Sequence, residues 1–168
     1  MNRPLKVLVV EDSPTVALNF KMLLERDELI GMDIVGTLAE ALVKVGTERY
    51  DVVLLDLNLP DASGVEAQIQ MKIAAPLLPV VVITGASDDI RETVIAAGAA
   101  DFLTKPPESG AVLVAALRRA AARKDAEAQV AKVEESLAST TVALEKCEQI
   151  EHAKAAHDSG ILRVHDRS

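Results

Sequence analysis

The sequence predicts an α/β protein built on a doubly wound parallel sheet. Three observations carry this expectation. Short apolar runs such as Val52-Val-Leu-Leu55 and Val80-Val-Val-Ile83 have the length of strands and no polar alternation, which suits strands covered on both faces. A segment with helical spacing of apolar residues follows each run, five times in succession, as parallel strands joined by crossover helices require. Four of the five runs stop at polar residues: Glu11-Asp12, Asp56, Thr84 and Lys105. Right-handed crossovers put the carboxyl ends of parallel strands on one edge, where open α/β sheets bind ligands. Residues far apart in sequence are therefore expected to meet there.

The elements follow in order. Residues 5–10 are apolar apart from Lys6 and form strand β1. Ser13-Pro14 opens helix α1, because serine caps a first turn and proline tolerates it; Val16, Ala17, Phe20, Leu23 and Leu24 face inward. Residues 32–36 form β2, and Thr37 caps α2 with Ala41, Leu42 and Val45 inward. Residues 50–56 form the central strand β3, and Pro60 and Gly64 punctuate the loop after it. Helix α3 spans about 65–75 and is closed by Pro76. Strand β4 covers 79–84 and ends in a hydroxyl followed by Gly85. Ser87 or Asp88 opens α4, which runs through Val94 and Ile95 to Gly98. Strand β5 covers 100–104, and Ser109 caps α5 with Val112, Leu113, Ala116 and Leu117 on its inner face.

Composition narrows the function classes. Hydrophobic residues make up 49% and aromatics 2%, so the core must be built from Val, Leu, Ile and Ala. The net charge is -8, with 16 acidic against 9 basic residues through position 106 and 10 against 9 beyond it. Neither part has a basic footprint, so no nucleic-acid partner is expected. One cysteine gives no internal disulfide framework and fits a reducing compartment. No signal peptide is evident and no apolar run approaches the roughly 18 residues of a membrane helix. The expectation is a cytoplasmic chain with no membrane partner.

Three carboxylates at one edge repel one another unless a cation joins them. Oxygen-only donors select a hard divalent ion, and Mg²⁺ usually takes one or two carboxylates plus phosphate oxygens. Glu11, Asp12 and Asp56 fit that description. Asp56, at the centre, is then the natural nucleophile for a phosphoryl group, giving an aspartyl phosphate. Phosphoryl transfer needs mostly positioning and charge neutralisation. Lys105 supplies a second positive charge, Thr84 a hydroxyl for a phosphoryl oxygen, and Gly85 room beside it. Each piece alone reads more blandly: Asp56 as a turn aspartate, Lys105-Pro106 as a loop with a solvated lysine, Phe102 as core. No Gly-rich phosphate loop follows Val10, so nucleotide binding is unsupported.

Over residues 4–122 the chain resembles the receiver domain of two-component response regulators. The matching residues are Glu11-Asp12, Asp56 with Leu59-Pro60-Asp61-x-x-Gly64, Thr84-Gly85, and Gly98-Ala-Ala-Asp101-Phe102-Leu-Thr-Lys105-Pro106. The resemblance implies a flavodoxin-like (βα)5 sheet with strand order 2-1-3-4-5. It implies that Asp56 accepts phosphate from a sensor histidine kinase or phosphotransfer protein. It implies Mg²⁺, with Mn²⁺ as a substitute, on Glu11, Asp12, Asp56 and the backbone carbonyl of Asn58. Thr84, Gly85 and Lys105 would bind the phosphoryl group, and Thr84 and Phe102 form a switch pair. A dehalogenase-type phosphatase would need a second aspartate where Asn58 stands. Such a chain is a phosphoacceptor signalling domain with only self-phosphorylation and autodephosphorylation chemistry, not an enzyme acting on other substrates.

Beyond the receiver, residues 111–159 contain neither Gly nor Pro and are rich in good helix formers. The expected organisation is a receiver over 1–122 and a helical extension over 123–168 with a frayed end. Val130, Val133, Leu137, Thr140, Leu144 and Cys147 follow alternating spacings of three and four, a coiled-coil seam that fails at Glu151. A helix that folds back on its own receiver or remains partly frayed is the alternative. Cys147 reads as a small apolar seam residue, and His152, His157 and His165 as solvated. Arg118 and Arg119 are candidates to meet Asp101 of a second subunit. The reading is a regulator that pairs through its α4-β5-α5 surface or its tail, signals to a downstream protein partner, and has no DNA-binding output. Its alternatives are a receiver-plus-linker piece of a histidine kinase or diguanylate cyclase, and a phosphate sink.

Overall fold

Five parallel strands lie in the order β2-β1-β3-β4-β5. In the computed structural model, which describes residues 3–85 and 88–165, they are β1 (Leu5–Val10), β2 (Ile30–Val35), β3 (Val52–Asp56), β4 (Val80–Thr84) and β5 (Asp101–Thr104). The expected order is observed. Every residue of β3 and β4 is buried, which is why both read as unbroken apolar runs.

Alternation along these strands divides the core into two layers. Val53 and Leu55 face α2 (Leu38–Thr47), α3 (Val65–Ala74) and α4 (Arg91–Ala96), meeting Ala41, Met71 and Val94. Val52 and Leu54 face the opposite side and share a layer with Phe20 and Leu24 of α1 (Pro14–Leu24) and with Leu113 and Leu117 of α5 (Gly110–His165). All three aromatic side chains, Phe20, Tyr50 and Phe102, are buried. The core is thus aliphatic, as composition requires.

The caps form as the sequence predicts. Val16 N–H donates to Ser13 Oγ, Glu40 N–H to Thr37 Oγ1, and Val112 N–H to Ser109 Oγ. Several boundaries differ. Strand β2 starts at Ile30 rather than 32, because Ile30 pairs with Leu5 and its N–H is held by Asp27 O. Strands β3, β4 and β5 each start later than expected, at Val52, Val80 and Asp101. Residues Asp88–Ile90 form a 3-10 turn ahead of α4, so that helix is shorter than expected; Ser87, one of its two candidate openers, lies outside the described residues. Val112 is half-buried rather than core, and Leu113 takes the inward position; on α4, Val94 is buried and Ile95 exposed.

The chain divides into two compact units, one through Asp125 and the other from Ala126 onward. The second is helical through His165, and every residue from Ala126 to Ser159 is exposed. Among the described residues, no helix is long and apolar enough to cross a membrane.

The loop after β3 holds a device that the sequence hid. Asn58–Leu59 and Ala62–Ser63 pair as a two-residue antiparallel ribbon. Gly64 then sits at φ 60°, a left-handed conformation that glycine adopts without a Cβ penalty, and its N–H donates to Leu57 O. Asp61, at the tip, reaches across to another element. Its carboxylate accepts the N–H groups of Leu38 (2.9 Å) and Ala39 (2.8 Å), the free donors of the first turn of α2. These two bonds hold the Asp61 carboxyl below the usual carboxylate range. At the opposite edge of the sheet, the ammonium groups of Lys44 and Lys6 push Glu48 down to about 2.

A group held below its unfolded value stabilises the fold above that value and loses the contribution as pH falls through its folded value. Asp61→Ala is therefore expected to lower the thermal midpoint at neutral pH by about 2–5 °C. The gap should narrow as pH falls below about 4, where the unfolded chain takes up a proton at Asp61 that the folded carboxylate still resists. Thermal melts across that range check this; a gap independent of pH contradicts the role of the charge.

Candidate functional site

The parallel registers fix which strand ends meet. Val10 of β1 lies beside Leu55 of β3, so Glu11 and Asp56 leave the sheet next to each other. Asp56 pairs with Ile83 of β4, which puts Thr84 one residue beyond it on the neighbouring strand. Thr84 pairs with Thr104 of β5, and Lys105 follows; the Lys105 N–H donates to Thr84 O at 3.0 Å. Lys105–Pro106 is a cis peptide. Glu11, Asp56, Thr84 and Lys105, spread over nearly the whole first unit, thus gather at one edge.

Glu11 and Asp56 are both buried, at 3% exposure each, which would be costly for isolated carboxylates. Their four oxygens are accounted for. Ser13 N–H donates to Glu11 Oε1 (3.1 Å) and Asn58 N–H to Asp56 Oδ1 (3.2 Å). The remaining oxygens, Glu11 Oε2 and Asp56 Oδ2, both accept from the ammonium of Lys105, the latter at 2.8 Å. Each carboxylate is therefore fixed by a loop N–H on one side and by the shared lysine on the other. Asp12 is exposed beside them.

One oxygen from each of Glu11, Asp12 and Asp56 lies within 4.8 Å of the others. The donors are all hard oxygens, and three carboxylates against one ammonium leave an excess of negative charge. Both properties suit a small divalent cation such as Mg²⁺. The residues present therefore fit the ion that the resemblance implies.

Thr84 is fully buried, and an added Cβ at Gly85 would meet nothing within 4 Å, so space stays open there. Phe102 is buried in the α2-α3-α4 layer, with the Arg91 guanidinium 5.8 Å from its ring. Asn58 is exposed, and its backbone N–H has a place in the site because it steadies Asp56.

The arginines divide. Arg119 meets Asp101 at 3.0 Å within the same chain. Arg118 points elsewhere: it pairs with Asp27 at 2.6 Å and donates to Arg3 O, below the end of α1. The Arg118 guanidinium holds Asp27 below the usual carboxylate range. Val130, Val133, Leu137, Thr140, Leu144 and Cys147 are all exposed, as are His152 and His157. The side chain of His165 lies outside the described residues.

Sequence reasoning missed two groups that shape the site: the Ser13 N–H on Glu11, and Asp61, which ties the loop after Asp56 to α2. Serine two residues after Glu11 was legible only as a cap. Asp61 stood only as part of the motif that carries the resemblance, with no sign of its partner on α2.

A family model, the response regulator receiver domain, matches residues 7–118. The chain is 34% identical over 105 residues to the cell cycle transcriptional regulator CtrA of Caulobacter vibrioides, covering 61% of this chain and 44% of that protein. It is 35% identical over 121 residues to the regulatory protein LuxO of Vibrio cholerae, covering 70% of this chain and 26% of that protein. Among solved structures, a response regulator receiver domain protein from Clostridium thermocellum aligns with TM-score 0.65 and 30% identity, over 72% of this chain and 97% of that one. A CheY-like receiver domain protein from Methanospirillum hungatei gives TM-score 0.65 at 26% identity, over 73% and 97%. The chain spans less than half the length of these two regulators. It belongs to the response regulator receiver domain family.

Mg²⁺ is expected to bind this cluster and raise the thermal midpoint, since a ligand that binds only the folded state stabilises it. Asp12→Ala should weaken binding by about tenfold or more, since even the outer-shell supports of a metal typically contribute about 10–100-fold. Calorimetric titration of both proteins checks this. Equal affinities would remove Asp12 from the ion's donors.

Proposed function

We propose that this chain is a phosphoacceptor receiver that takes a phosphoryl group on Asp56 from a histidine kinase or phosphotransfer protein. The observation that carries this reading is the Lys105 ammonium bridging the buried Asp56 and Glu11, with Asp12 alongside and Thr84 on the next strand end. A buried carboxylate facing a cation at a sheet edge is placed to act as a nucleophile.

In the transfer, an Asp56 carboxylate oxygen attacks the phosphorus of the donor's phosphohistidine. The P–O bond forms as the P–N bond breaks. The bonding pair stays on the imidazole nitrogen, which takes a proton from solvent. Asp56 exchanges one negative charge for a dianionic group. Lys105, which in the unmodified protein serves two carboxylates, can turn its ammonium to the phosphoryl oxygens. The Thr84 hydroxyl can donate to another of those oxygens. Glu11, Asp12, Asp56 and the Asn58 carbonyl would hold Mg²⁺, which would supply neutralisation of charge on the transferring group. Recruitment of Thr84 then alters packing at Phe102, and the surface of α4, β5 and α5 changes its preference for partners. The tail from about residue 123 serves as a helical pairing segment in this reading, and the signal goes to a protein partner.

A second reading is favoured by the length of the relatives. The chain covers 44% of one and 26% of another, so the same receiver also fits as the input module of a longer regulator, with α5 as its connecting helix. Phosphate-sink behaviour would show as rapid loss of phosphate without a change in assembly.

Incubation with a small phosphoryl donor and Mg²⁺ tests the chemistry. Wild type should acquire one phosphoryl group. Asp56→Asn should acquire none, and Lys105→Ala should react at least about tenfold more slowly. Equal labelling of Asp56→Asn and wild type would overturn the assignment.

A further inference from the structure

We propose that the exposed seam of the tail helix pairs with the same seam of a second copy, parallel and in register, so that Thr140 faces Thr140 and Cys147 faces Cys147. This deepens the pairing part of the function proposed above and is independent of the phosphoryl chemistry.

Every residue from Ala126 to Ser159 is exposed, so within this stretch the seam lacks cover. Val130, Val133, Leu137 and Leu144 expose 57%, 49%, 61% and 61% of their surface. A helix with that much unburied apolar side chain gains by packing, since an isolated helix is marginal in water. The seam positions alternate by three and four, which is the a/d repeat: Val130, Leu137 and Leu144 at a; Val133, Thr140 and Cys147 at d.

Thr140 is the polar position in that run, and the structure disposes of its hydroxyl. Thr140 Oγ1 donates to Ser136 O at 2.9 Å, one turn back in its own helix. The donor is satisfied internally, so the side chain can enter a dry seam methyl first.

Charge at the flanking positions selects the orientation. The e positions are Glu127, Glu134, Thr141 and Glu148; the g positions are Gln129, Ser136, Ala143 and Ile150. In a parallel pair each g position meets the e position of the next heptad on the other helix. The contacts are then Gln129 with Glu134, Ser136 with Thr141, and Ala143 with Glu148, none of them between like charges. The antiparallel register that pairs the same six seam positions sets Val130 against Cys147, Val133 against Leu144 and Leu137 against Thr140. It places e positions beside e positions, which brings Glu127 alongside Glu148 of the second copy, twice. Like charges at such flanks oppose pairing. A helix acidic at e and neutral at g is compatible with its own copy only when parallel. Glu151 takes the next a position and ends the zipper after Cys147.

The test uses the full chain. Light scattering first gives the mass of wild type and of Leu137→Glu, with circular dichroism and phosphoryl labelling as folding controls. Both proteins are then treated with the mild oxidant diamide and run on a non-reducing gel. Separately, wild type is mixed with a tagged Val130→Cys, Cys147→Ser variant and oxidised. The expected result is a wild-type dimer that forms a Cys147–Cys147 disulfide, a Leu137→Glu monomer that loses it, and no link between wild type and the tagged variant. A dimer linked only in the mixture is antiparallel and overturns the proposal. A dimer with neither link pairs elsewhere and also overturns it, as does a wild-type monomer. In all three cases labelling of Asp56 still reports on the receiver reading by itself.

Discussion

One ammonium shared by two buried carboxylates is the constraint on which the rest of the receiver depends. Glu11 and Asp56 end adjacent strands and lie almost wholly out of water. Neither can be left there as an unpaired charge without a large desolvation cost. Lys105 comes from a third strand end and satisfies one oxygen of each. That arrangement requires β1, β3 and β5 to run parallel and end at the same level, with β4 between β3 and β5 to set the spacing. The fold and the site are therefore one requirement: the aliphatic layers on both faces hold the strands, and the strands hold the three charges.

The loop after Asp56 holds this arrangement in place. It is short, closed by a two-residue ribbon and by Gly64 N–H on Leu57 O, and anchored through Asp61 to the first turn of α2. Asp56 thus leaves a buried strand into a loop with little freedom, and Asn58 N–H meets its carboxylate at a set place. A rigid nucleophile loses little entropy when it meets its substrate. The same economy explains why one oxygen of each buried carboxylate is held by backbone. Lys105 remains the adjustable partner, a long flexible side chain whose ammonium can be redirected when charge at Asp56 changes.

Much of this was legible in the chain itself, for physical reasons that differ by element. The central strands β3 and β4 announced themselves because burial on both faces removes polar alternation, and their terminal Asp56 and Thr84 stood out against that background. The serine and threonine caps were legible because capping is local chemistry. The start of β2 was less so: Ile30 is recruited by pairing with Leu5, a contact between distant residues. Asp61 stood only as part of the motif after Asp56, since nothing in its neighbourhood says that it reaches the N–H groups of Leu38 and Ala39. Arg118 and Arg119 are adjacent and identical in sequence, yet helix geometry sends one to Asp27 and the other to Asp101. Their partners are set by tertiary placement alone.

The central claim is that this edge exists to put a phosphoryl group on Asp56 and on no other acceptor. The most direct measurement is fragmentation mass spectrometry of the full chain after reaction with a phosphoryl donor and Mg²⁺, reading which residue carries the added mass. The account predicts the group on Asp56 alone, with Glu11, Asp12, His152 and His157 unmodified. Modification at Glu11 or Asp12, or at a tail histidine with Asp56 untouched, would contradict it.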